Sequence, residues 1–80
     1  MYKHVFTWGN LVRVTTSAPE KYRPGELCDV CGIWIINTEE NSIARGEALG
    51  TTIYTVEFGD GVAAEMPERY LEKVENTHNK

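Results

Sequence analysis

Between Ile53 and Val62 the chain reads Ile-Tyr-Thr-Val-Glu-Phe-Gly-Asp-Gly-Val, a pattern that a β-hairpin satisfies and a helix does not. β-Branched and aromatic residues alternate with polar ones up to Phe58, which is the period of a half-buried strand. The run then meets Asp60 and Gly61, a pair that favours a tight turn with positive φ at both central positions. Gly59 ahead of them equally allows a three-residue loop with a bulge. On this alternation Tyr54, Val56 and Phe58 form the inward face.

The remaining segments read in the same terms. From Asn10 to Thr16 the residues alternate, with Leu11, Arg13 and Thr15 on one side and Val12 and Val14 inward. Ser17 to Gly25 holds Pro19 and Pro24 and reads as an ordered loop, because each proline fixes one φ. Leu27 to Ile36 is the longest apolar run and reads as a long strand that bends or bulges at Gly32. Asn37 to Gly50 is polar and is expected to be a mobile loop, with room for a short helical turn around Ser42–Arg45. Met66 to Leu71 reads as one helical turn begun by Pro67. A closing strand follows from Leu71 to Val74, and the tail 76–80 is expected to fray.

Five short strands, a long first loop and one helical turn before the last strand describe an all-β fold, a small SH3-like barrel. Rolling so small a sheet on itself removes most of its exposed edge. The 80 residues form a single domain with a core over about 6–75. A chain this short buries only about 60–65% of its unfolded surface, so most of its aromatic residues serve the core.

Two sets of residues carry a family resemblance. The first runs Phe6-Thr-Trp-Gly9, Leu11-Val-Arg-Val14, Pro19, Tyr22-Arg-Pro-Gly25 and Val30-Cys-Gly32; the second is Ile53 to Phe58 with Glu68-Arg-Tyr-Leu71. In this order they resemble the SH3-like barrel of the nitrile hydratase β subunit over roughly Phe6 to Glu72. In that family the metal is held by a Cys-rich motif on the other subunit. The resemblance therefore implies a barrel, and an accessory subunit or chaperone of a metalloenzyme, without catalytic residues here. The chain is also similar to small bacterial barrels of the immunity protein 31 type, which are encoded beside polymorphic toxins. That likeness rests on the early loop, the hairpin and the ending Pro67-Glu-Arg-Tyr-Leu71. It implies a protein that neutralises a toxin by direct contact.

Motifs for chemistry are sparse. Cys28-Asp-Val-Cys31 is half of a zinc site, and His4 and His78 stand near opposite ends rather than completing it. A redox pair would open a helix, where the N-terminus activates a thiol. Here the pair sits in a strand, so one thiol is expected inside beside Val30 and the other outside. No nucleophile elbow, zinc-protease helix or phosphate loop occurs. Glu57 and Glu65 could face each other across the hairpin, which outward charge on a sheet explains without a reaction. No catalytic residue, metal ligand or cofactor site is expected, and the chain is read as a non-enzyme.

The net charge of −4 and pI near 5.0 argue against a nucleic-acid partner, which would need clustered Lys and Arg against phosphates. No run of about 18 apolar residues is present to span a membrane, and the N-terminus has no apolar signal core, so a cytoplasmic location is expected. Another protein, a toxin or an enzyme subunit, is the expected partner. Tyr22 and Arg23 on the first loop, Trp34 on the long strand, and Glu39 and Glu40 after it are the candidate interface, since Tyr, Trp and Arg are enriched in binding hot spots. Ile33, Trp34, Ile35 and Ile36 cannot all point into one small barrel. Trp34 either plugs a barrel end beneath the 37–50 loop or faces a partner, and the run could pair across a two-fold axis. Trp8 is expected to pack at the entry to the first strand.

Overall fold

In the computed structural model of the protein, residues 5–74 are described. The strands are β1 (Leu11–Val14), β2 (Leu27–Ile35), β3 (Thr52–Phe58), β4 (Ala63–Pro67) and β5 (Leu71–Lys73). One helix, α1 (Glu39–Arg45), lies between β2 and β3, and 3-10 turns span Glu20–Tyr22 and Glu68–Tyr70. All strand pairs are antiparallel, in the order β4-β3-β2-β1-β5. β4 and β5 are thus the sheet's two edges, yet only the turn Glu68–Tyr70 separates them in sequence. At about 3.5 Å per residue the end of one edge lies within roughly 14 Å of the start of the other, so the sheet must roll. The Thr15 amide donates to the Tyr70 carbonyl at 2.9 Å and ties that crossing to the end of β1. The expected five-stranded small barrel, with a helical turn before its last strand, is what the chain forms.

The core follows from alternation. Val12, Val14, Cys28, Val30, Tyr54, Val56 and Phe58 point inward from β1, β2 and β3, and Phe6, Ala18, Met66 and Leu71 close around them. Burying an aliphatic side chain of this size contributes about 1.5–3 kcal/mol. Tyr54 is fully buried, with the Phe6 ring edge-on to it at 5.3 Å. Its hydroxyl accepts from the amides of Val5 and Phe6, each at 3.0 Å, and donates to Glu68 at 2.6 Å. A buried phenol thereby has its polar end satisfied.

The hairpin resolves the alternative left by Gly59. Glu57 pairs with Ala63, the Gly61 amide donates to Phe58, and only Gly61 in the loop has positive φ, at 87°. The connection is a three-residue loop with a glycine bulge rather than a two-residue Asp-Gly turn. The expected bend in β2 is also present, as a register shift between Val30 and Gly32.

Two expectations are corrected. The segment 37–50, expected to be mostly loop with room for a short helical turn around Ser42–Arg45, carries the seven-residue helix α1, which already starts at Glu39. The Thr38 side chain accepts from the Asn41 amide at 3.1 Å, Glu39 and Glu40 occupy the first turn, Arg45 the last, and Gly46 ends it in the left-handed conformation. A cap, charges matched to the helix dipole and a terminal glycine are sufficient local signals. They go unread in the apolar pattern because none of the helix residues is buried. The second correction is Trp8, which is 61% exposed rather than packed at the start of β1. The turn before the last strand begins one residue later than expected, since Pro67 completes β4 and caps the turn. The expected frayed tail, 76–80, lies outside the described residues, as do His4 and His78.

Candidate functional site

The five residues proposed from sequence fall into separate places. Tyr22 is half-buried and tilts against Tyr70 with 5.5 Å between ring centroids. Arg23 follows the first 3-10 turn with a positive φ of 62°, an uncommon conformation for a residue with a side chain. Its guanidinium meets both carboxylate oxygens of Asp60, at 3.2 and 3.0 Å, and lies 4.7 Å from the centre of the Phe58 ring. Hydrogen bonding to Arg23 holds the Asp60 carboxyl below its usual range. The first loop is in this way clasped to the hairpin tip. Trp34 stands six residues along β2 from Cys28, a separation of about 20 Å. It is half-buried, with the Arg45 guanidinium 5.0 Å above its ring. Arg45 also pairs with Glu65, which accepts from the Thr55 hydroxyl. Burial pushes the Glu65 carboxyl upward, but Arg45, Trp34 and Thr55 together hold it below its usual range. The end of α1 therefore covers this part of the sheet through Arg45. Ile36 is fully buried, and Ile33 packs against the core. Glu39 and Glu40 are exposed on the first turn of α1, apart from both clusters.

At the other end of the sheet's outer face no cation-π contact of this kind is formed among the described residues. Leu11 and Leu27 alternate with buried Val12 and Cys28, so both point outward, and they are 46% and 44% exposed. Leu11 lies opposite Asp29, Asp29 opposite Glu57, and Glu57 opposite Ala63. These four residues form one row across β1, β2, β3 and β4, all exposed. Leu27 sits in the next row, opposite Arg13, which pairs with Glu72. Alternation within β1 sets Leu11 and Arg13 outward but does not bring Asp29 to Glu57, because strand register is a long-range property. Glu57 and Glu65 are not opposite each other across the hairpin; Glu65 faces Thr55 and takes Arg45.

The two thiols divide as expected, with Cys28 buried and Cys31 exposed. Burial, with Asp29 and Glu26 nearby, pushes the Cys28 thiol up to about 11. No group of three or more His, Cys, Asp or Glu stands close enough to hold a metal among the described residues. None of the described helices is long and apolar enough to cross a membrane. No protein-family model, curated protein or solved structure matches this chain.

Proposed function

We propose that this chain is a binding module that acts by contact with another protein and catalyses no reaction. The observation that carries this reading is the uncovered outer face of β1 and β2, where Leu11 and Leu27 stand exposed beside each other's strands. Leu11 and Leu27 are diagonal neighbours on adjacent strands, flanked by charged residues, and apolar side chains within a polar rim are what a protein interface is built from. The resemblance to toxin-immunity barrels gives the reading its biological form, a protein that occludes a toxin, and the acidic balance suits a basic target.

The test is purification of the tagged chain from its host, with mass spectrometry of whatever elutes with it in fixed stoichiometry. Leu11→Ser with Leu27→Ser is expected to lose that partner while keeping the thermal midpoint. Co-expression with a toxin encoded beside it is expected to protect the host. Elution of the chain alone, with no protection, would remove the proposal.

A further inference from the structure

The outer face also shows what kind of surface fits it, an inference that rests on the binding-module reading and deepens it. Every arginine of the chain already has an acidic partner: Arg13 with Glu72, Arg23 with Asp60 and Glu26, Arg45 with Glu65, and Arg69 with Glu47. Asp29 and Glu57 take part in none of these pairs. They nevertheless lie directly opposite each other on adjacent strands, an arrangement that is destabilising for like charges. Leu11 flanks Asp29 on one side, Ala63 flanks Glu57 on the other, and Leu27 follows two residues before Asp29. Among the described residues no salt bridge reaches these two adjacent carboxylates, and Leu11, Leu27 and Ala63 stand exposed around them.

We propose that this face docks a basic protein surface, placing an arginine or lysine between Asp29 and Glu57 and apolar side chains on Leu11 and Leu27. A guanidinium offers several donors in one plane and can satisfy two carboxylates at once. A second copy of this chain is the wrong occupant. A two-fold axis through the Asp29–Glu57 pair would bring two such acidic pairs together.

The test uses the full chain, isotopically labelled for NMR, and a capped Leu-Arg-Leu-Arg-Leu peptide at millimolar concentration. A second peptide carries Glu in place of each Arg. The arginine peptide is expected to shift the amides of residues 11–13, 27–31 and 57–63, and the glutamate peptide to shift none of them. Asp29→Asn with Glu57→Gln is expected to weaken binding about tenfold while raising the thermal midpoint, since it removes a repulsion. Salt near 0.5 M should weaken binding likewise. Unmoved amides in these segments, equal response to both peptides, an unchanged affinity in the double variant, or a dimer closed through this face would each overturn the assignment. The wider reading fails separately, when the chain yields no stoichiometric complex in its host.

Discussion

The hydroxyl of Tyr54 donates to Glu68 at 2.6 Å, joining the middle of β3 to the turn that links the two edges of the sheet. The same oxygen accepts from Val5 and Phe6, so three separated stretches of chain meet at one buried atom. Tyr54→Phe keeps the ring and its contact with Phe6 but deletes the oxygen. It is expected to destabilise the fold by about 1–3 kcal/mol, the cost of leaving a buried donor without its acceptor. Urea unfolding of the two proteins checks this. Burial, then the bond to Glu68, pushes the Tyr54 hydroxyl up to about 12 from 10.0. Its contribution is therefore complete below pH 10 and declines as pH rises toward 12, because the unfolded chain releases that proton first. The alkaline fall in stability is expected to be shallower in Tyr54→Phe.

The two cysteines should behave as different chemical species. The thiolate is the reactive form, and Cys28 is both buried and raised in pKa, whereas Cys31 is exposed. An alkylating reagent at neutral pH is expected to label Cys31 quickly and Cys28 only after unfolding. Peptide mapping of the labelled protein reads the outcome.

Gly32 follows the bulge of β2, and a Cβ built there would stand 3.0 Å from both Cβ and Oγ1 of Thr55. Thr55 is itself held to Glu65, so neither strand can give way freely. Gly32→Ala is expected to cost about 1–3 kcal/mol by overpacking. Gly59→Ala, which meets nothing within 4 Å, serves as the control in the same denaturation series.

Asp29 and Glu57 oppose each other and no salt bridge reaches either among the described residues, so Asp29→Asn is expected to stabilise the isolated chain by about 0.2–1 kcal/mol. For a domain of this size that corresponds to a rise of a few degrees in thermal midpoint, measurable by calorimetry. A loss of stability would mean that Asp29 serves the fold and not a partner.

Much of this architecture is legible in the sequence where local pattern and burial agree. The alternation of Tyr54, Val56 and Phe58, the inward Val12 and Val14, and the bend at Gly32 all follow from period and residue type. Helix α1 is the counter-example: its signals are the capping Thr38, the terminal Gly46 and the placement of charge, with no apolar face to announce them. Trp8 shows the opposite failure, since a large aromatic residue beside a strand is expected to pack and instead stands exposed. The fold uses three of the candidate interface residues internally: Tyr22 packs against the core and Tyr70, Arg23 clasps Asp60, and Trp34 lies under Arg45. The exposed row from Leu11 to Ala63 depends on the register of four strands, which alternation within one strand does not contain.

Hydrogen–deuterium exchange on the chain alone and in the complex purified from its host tests the central claim most directly. Docking on the outer face predicts slower exchange in 11–13, 27–31 and 57–63, with 20–23 and 39–45 unchanged. Slowing confined to the Tyr22 turn or to α1, with the β1 and β2 segments unaltered, would contradict it.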